Sequence, residues 1–129
     1  MLKATKLDRV PVTIDNVKAA VLEVYNHLGF GFSEAIYHQS LLTELRNRDV
    51  PYETEKIVPV FYNGSGVGHV RLDIVVDGRF VVELKSLQRL RPCDHVQLKN
   101  YLKIMPAAEK GLLVNFGGSD VLEVIVVEK

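Results

Sequence analysis

The sequence carries no surplus of charge: 16 lysines and arginines are balanced by 16 aspartates and glutamates. No global positive field draws it toward nucleic acid, which weighs against a module that merely coats a phosphate backbone. It weighs little against a nuclease, whose acidic metal site offsets a basic substrate track. Cysteine is nearly missing. The single Cys93 excludes an internal disulfide, a zinc finger and a cysteine-ligated iron–sulfur cluster, and it fits a reducing compartment. No apolar run approaches the ~20 residues that cross a bilayer. The stretch from Met1 to Val10 is charged throughout and lacks an apolar signal core. Repeats, low-complexity tracts and linker-like segments are absent too. The expectation is a soluble, cytoplasmic protein with no membrane association.

What is present suits a packed core. Hydrophobic residues make up 47% of the 129 positions and charged residues 25%, ordinary values for a globular chain. A chain of this length buries about two-thirds of its unfolded surface as one domain. The expected organisation is an N-terminal tail over residues 1–12 and a single domain over residues 13–129.

Thr13 or Asp15 can cap a first helix with Val17, Ala20, Val21, Val24 and Leu28 in one stripe. Gly29 and Gly31 break it. Ser33 opens a second helix, with Ile36, Tyr37, Leu41, Leu42 and Leu45 on one side, and Pro51 closes it. Alternation follows: Tyr52 to Tyr62 reads as a strand whose Pro59 implies an edge or a bulge. The turn Asn63-Gly-Ser-Gly66 leads into a strand from Val67 to Val76. Asp77-Gly78 then leads into a strand from Phe80 to Leu87. Pro92 starts a third helix with Val96, Leu98, Leu102 and Met105 on its apolar side. Lys110 to Phe116 is apolar enough for a buried strand, and Val121 to Val127 supplies the last one. The order α-α-β-β-β-α-β-β predicts an α/β fold with a sheet sandwiched by helices.

Two carboxylates interrupt these core-like strands. Side chains alternate along a strand, so Glu83 and Lys85 share a face, roughly 6.6 Å apart along the backbone. If the flanking runs pair as a hairpin, Asp73 joins them. A structural salt bridge to Lys85 or Arg71 is the plainer explanation of either acid alone. Together the three match what phosphodiester hydrolysis needs: neutralised phosphate oxygens and an activated water. Mg²⁺ supplies both, typically held by one or two carboxylates plus waters. Asp73, Glu83 and the backbone carbonyl of Leu84 are the expected ligands. Lys85 is a compact charge able to orient water or stabilise the transition state.

Supporting residues lie nearby in the chain. Glu34 stands in the first turn of the second helix, where the macrodipole favours an acid, and Tyr37 lies three residues on. Gln97 and Tyr101 are four apart on the third helix and share a face, able to position water or phosphate. Arg89, Arg91, Lys99 and Lys103 form the most basic local stretch and are the candidate nucleic-acid contacts, although a solvated helix face is the commoner explanation of such a cluster. The histidines His27, His38, His69 and His95 have no nucleophile partner in sequence. Neighbours such as Cys93-Asp94-His95 do not face one another on a helix, which argues against a metal-independent hydrolase.

In this order, Asp73, Glu83-Leu84-Lys85 and Gln97 with Tyr101 resemble the PD-(D/E)XK (restriction endonuclease-like) nuclease superfamily. Gly31-Phe-Ser-Glu34-Ala-Ile-Tyr37 is similar to the motif of the small GxxExxY proteins. The likeness runs from about Val12 to the C-terminus. It implies Mg²⁺- or Mn²⁺-dependent phosphodiester cleavage, with Glu34 as the helix acid and a further metal ligand. Asp73 and Glu83 take the metal-ligand positions, Lys85 that of the catalytic lysine, and Gln97 and Tyr101 the accessory pair. Leu72 stands where the superfamily often has proline. The leading expectation is a Mg²⁺-dependent nuclease acting on DNA. The alternative is a non-catalytic binding or scaffold module of the same fold. Sequence readout, if present, is expected from a protein partner or a second copy in a homodimer.

Overall fold

A computed structural model describes residues 11–117 and 121–129 of the chain. The expected N-terminal tail lies mostly outside the described residues. Its end is not loose: Val12 packs on the core and its carbonyl accepts from the Arg79 guanidinium. Thr13 caps α1 (Ile14–Leu28) reciprocally, its hydroxyl accepting from the Asn16 N–H while Asn16 Oδ1 accepts from the Thr13 N–H. Ser33 caps α2 (Glu34–Asn47) through the Ile36 N–H. Then come β1 (Tyr52–Tyr62), β2 (Ser65–Val76), β3 (Phe80–Lys85), α3 (Pro92–Ile104), β4 (Lys110–Asn115) and β5 (Glu123–Glu128). The element order matches the sequence reading, and boundaries differ by about two residues, the ordinary fraying of element ends.

The five strands lie in the order β1-β2-β3-β4-β5. β1, β2 and β3 form an antiparallel meander, α3 carries the chain over to β4 parallel to β3, and β5 returns antiparallel. Pro59 stands on the edge strand β1, where its missing N–H costs no ladder bond, and a bulge follows between Val60 and Phe61. β4 runs through the middle of the apolar layers, as its composition predicts.

Helices cover both faces of the sheet. α1 and α2 pack through Val17, Val21, Tyr37 and Leu41 on Ile74, Val76, Val82, Leu84, Leu112 and Val114. On the other face, Leu98, Leu102 and Met105 of α3 pack on Val75, Val81 and Leu113. Val96 does not join them: it is 56% exposed, because two residues before Leu98 is about 200° around the helix. Ile36 likewise turns out of the α2 stripe and is exposed. Among the described residues no helix is long and apolar enough to cross a membrane.

One irregularity positions the site. Leu72 packs on the α3 face of the sheet, whereas Ile74, two residues on, packs on the α1/α2 face. Unbroken alternation would put both on one side. The switch falls at Asp73, and opposite it Glu55 adopts φ 53°, interrupting a register that resumes on either side, at Thr54↔Ile74 and Lys56↔Leu72. A left-handed residue inside a strand is costly for a non-glycine and marks a local turn of the ribbon. Both helical layers therefore meet the sheet around Asp73.

Candidate functional site

β2 and β3 pair as Ile74↔Val82, Val75↔Val81 and Val76↔Phe80. One step further along that register sets Asp73 opposite Glu83, just past the last paired residues. Glu83 is 4% exposed, and its Oε1 has no hydrogen-bond partner. Lys85 is its cationic neighbour, with Nζ 3.9 Å from Glu83 Oε2. Burial pushes the Glu83 carboxyl up to about 8, Asp73 and, more weakly, Glu34 add to the rise, and Lys85 and the Asp73 backbone N–H oppose it. A structural salt bridge would have satisfied this carboxylate. The Lys85 pair reaches Oε2 only at the long end of ion-pair distance, and Oε1 is left without a partner among the described residues.

Glu34, at the capped start of α2, belongs to the same cluster. Partial burial raises its affinity for a proton, Asp73 raises it further, and Lys85 and His38 act against the rise. From the opposite face α3 supplies Gln97 and Tyr101. Lys85 Nζ donates to Gln97 Oε1 at 3.1 Å. Burial and then the charges of Glu83 and Asp73 raise the Tyr101 phenol, opposed by a hydrogen bond with Gln97. Charge and hydrogen-bond contacts thus link all six candidate residues around the break in β2, with Gln97 and Tyr101 lining a separate cavity on the α3 side from the one that Glu34 and Asp73 line. The Lys85 carbonyl accepts from the Phe116 N–H of the segment after β4 at 3.1 Å. Successive carbonyls of a strand point to opposite edges, so that of Leu84 faces β2 beyond its paired stretch.

The basic stretch divides. Arg89 and Arg91 are exposed in the loop leaving β3. Lys99 and Lys103 lie about 200° around α3 from Gln97 and Tyr101, and Lys99 Nζ donates to the Glu128 carbonyl at 2.7 Å. They do not line the acidic locus.

Three residues at the site escaped the sequence reading. Asp94, 2% exposed, takes the Arg91 guanidinium and the Arg91 N–H, and its Oδ1 lies 3.9 Å from Lys85 Nζ. The Arg91 side chain holds its carboxyl below the usual range. With Glu83 and Gln97 it brackets Lys85. His38, one turn after Glu34, approaches the Asp73 carbonyl at 3.5 Å and Thr54 Oγ1 at 3.4 Å. The four-residue spacing of Glu34 and His38 was the available signal. A cavity of about 420 Å³ opens there, lined by Glu34, His38, Thr54, Glu55, Arg71 and Asp73 among others.

The third is Asn115, fully buried at the end of β4. Its Oδ1 accepts from the Leu87 and Gly117 N–H groups at 2.8 and 3.1 Å, and its Nδ2 donates to the Leu87 carbonyl and Glu123 Oε1 at 2.9 and 2.8 Å. The amide therefore fixes the chain as it leaves Lys85. Gly117 fits beneath it: an added Cβ would lie 2.5 Å from the Ser86 carbonyl carbon. Asn115→Ala strands several buried polar groups and is expected to cost about 2 kcal/mol or more, measurable by urea denaturation. An unchanged midpoint would show that the loop is held by other means.

The fold is a known one. A model of the PD-(D/E)XK nuclease superfamily matches residues 12–126. The chain belongs to the PD-(D/E)XK nuclease superfamily. Among solved structures, the crystal structure of SSO0001 has the same fold, with a TM-score of 0.56 at 18% identity over 95% of this chain and 71% of that one. No curated protein matches the chain. Superfamily members typically use divalent metal ions. Among the described residues no group of three or more His, Cys, Asp or Glu is arranged to hold one. The orphaned, buried Glu83 Oε1 beside Asp73 nevertheless fits a hard cation, because Mg²⁺ commonly takes only one or two carboxylates and completes its shell with water.

Proposed function

We propose that this PD-(D/E)XK protein is a divalent-metal-dependent nuclease that hydrolyses nucleic-acid phosphodiester bonds, with DNA the favoured polymer. Asp73, Glu83 and the Leu84 carbonyl would hold Mg²⁺ or Mn²⁺, with Glu34 at the margin. The observation that carries the reading is the Glu83 carboxylate, buried against a second acid with one oxygen unpartnered. Burying carboxylates together is unfavourable unless a cation compensates them. The bound metal would neutralise phosphate charge and make water nucleophilic.

The chain's own groups do the rest. Lys85, bracketed by Gln97, Glu83 and Asp94, presents a compact positive charge for the pentavalent transition state. Gln97 and Tyr101 offer an amide and a phenol to position water or phosphate. Arg71 and His38 line the adjoining cavity, where a flanking phosphate can be bound. The likeness of Gly31 to Tyr37 to the GxxExxY motif supports a place in that group, whose name records a motif.

Incubation of the purified protein with single-stranded, duplex and branched DNA, and with RNA of the same sequence, tests this. Cleavage is expected only with Mg²⁺ or Mn²⁺, strongest on a DNA substrate, and reduced about 100-fold or more in Asp73→Asn. Cleavage that survives metal removal or Asp73→Asn would contradict the assignment. Nucleic-acid binding without cleavage, insensitive to metal, would support the scaffold alternative.

A further inference from the structure

Two phenylalanines stand in the open beside the acidic locus. Phe30 is 53% exposed and Phe32 43%, in the loop between α1 and α2. Isolated apolar residues on a surface need no explanation, but two large rings on one short loop form a patch that does. Gly29 at φ 69° and Gly31 at φ 102° punctuate them. A side chain at either position would strain the left-handed backbone that lets the loop present both rings.

The loop is not exposed because it is loose. Buried Tyr37 donates its hydroxyl proton to the Gly29 carbonyl at 2.6 Å, and its oxygen accepts from the Phe32 N–H at 3.2 Å. The Tyr37 ring stacks on Phe116 with centroids 4.2 Å apart. Ser86 Oγ donates to the Phe32 carbonyl at 3.3 Å. Both ends of the phenylalanine segment are pinned to the core. Phe32 is two residues from Glu34 in sequence and bonded to the residue that follows Lys85. The loop therefore forms a lip of the proposed site.

The neighbouring lip is basic. From Ser86 the chain runs to Arg89 and Arg91, both exposed, and this segment is fastened by Asn115 to Leu87 and by Glu123 to the Leu90 N–H. Arg91 is exposed and spends Nε and Nη2 on Asp94, with no bond from Nη1 among the described residues. The two segments meet where Ser86 bonds Phe32, and rigid aromatic faces on one loop with guanidinium groups on the adjoining one suit unpaired nucleotides: bases stack on the rings while cations track the backbone. A base inside a duplex is already stacked on both sides and offers no face to a phenyl ring.

We propose that Phe30 and Phe32, with Arg89 and Arg91, form a preorganised rim that receives unpaired nucleotides beside the scissile phosphate. The inference rests on the nuclease reading and narrows its substrate class to single-stranded or branched nucleic acid. Stacking on a fixed ring loses little side-chain freedom, so each ring contributes most of its binding free energy.

Fluorescence anisotropy with labelled dT20, a splayed fork and a blunt duplex, in Ca²⁺ to suppress hydrolysis, tests this on the full chain. Binding to dT20 or the fork is expected to be at least about tenfold tighter than to the duplex. Phe30→Ala/Phe32→Ala is expected to weaken dT20 and fork binding by about tenfold per ring and to leave duplex binding unchanged. Phe30→Leu/Phe32→Leu keeps the apolar bulk without the π face, so it reports stacking even if the alanine pair folds poorly. Phe30→Trp/Phe32→Trp is expected to retain the preference. Tighter binding to the fork than to dT20 points to a branch, and equal binding to a plain single strand. Equal affinity for dT20 and duplex, or unchanged dT20 binding in the leucine pair, overturns the proposal and leaves the patch for a protein partner. Binding is read independently of cleavage, so an active nuclease lacking the preference sinks this inference alone.

Discussion

Glu83→Gln is expected to raise the melting temperature of the metal-free protein by about 5 °C or more at pH 8.5 to 9, and to abolish its response to Mn²⁺. The folded protein holds the Glu83 carboxyl up at about 8, first by burial and then by the charge of Asp73, whereas in the unfolded chain it ionises near its ordinary value of 4.5. Between those values the folded state keeps a proton that the unfolded state has lost. Stability from this group is complete below about 4.5, declines as pH rises, and is exhausted above about 8, a total of a few kcal/mol. Glutamine stays neutral and removes the slope. Glu34, also raised, acts in the same direction in both proteins, and Asp94, held low, matters only in acid. The wild-type-minus-variant difference in melting curves from pH 5 to 9 therefore isolates Glu83.

The same proton couples to metal. A divalent cation held there would displace it, so binding is expected to release about one proton and to tighten about tenfold per pH unit below about 8. Mn²⁺ is expected to restore wild-type stability at high pH, by mass action on the folded state. Parallel wild-type and Glu83→Gln curves, with or without Mn²⁺, would remove the electrostatic basis of the site.

Lys85→Met is expected to slow single-turnover cleavage at saturating metal by about 100- to 1,000-fold, the usual cost of losing one positioned transition-state donor. Metal binding should persist or tighten, since an ammonium 3.9 Å from Glu83 has gone. Lys85→Arg should not rescue, because a planar fork does not fit the space that Gln97, Glu83 and Asp94 leave for a point charge. Gln97→Ala, which frees the lysine without removing it, should cost about tenfold. An unchanged single-turnover rate in Lys85→Met would show that the lysine merely balances buried acids.

The opposition of Asp73 and Glu83 was legible because the turn Asp77-Gly78 sets the hairpin register, and register converts sequence distance into spatial pairing. Glu34 and Tyr37 were legible through the Ser33 cap, and Gln97 with Tyr101 through helical spacing. The face switch at Asp73 was not, because alternation assumes an unbroken strand and nothing in Glu55 announces φ 53°. Asp94 was set aside as a helix neighbour of Cys93 and His95, while its partner Lys85 lies across a loop on another element. His38 and Asn115 acquire their roles only once α2 meets the hairpin and β4 meets the loop after β3. Arg89, Arg91, Lys99 and Lys103 read as one cluster along the chain, and the helical period of α3 separates the last two from the site.

The most direct test of the central claim is a crystal of the protein soaked in Mn²⁺ and measured near the manganese edge. An anomalous peak is expected between the carboxylates of Asp73 and Glu83, within reach of the Leu84 carbonyl and absent in Asp73→Asn. Well-ordered carboxylates with no anomalous peak between them at millimolar Mn²⁺ would contradict it.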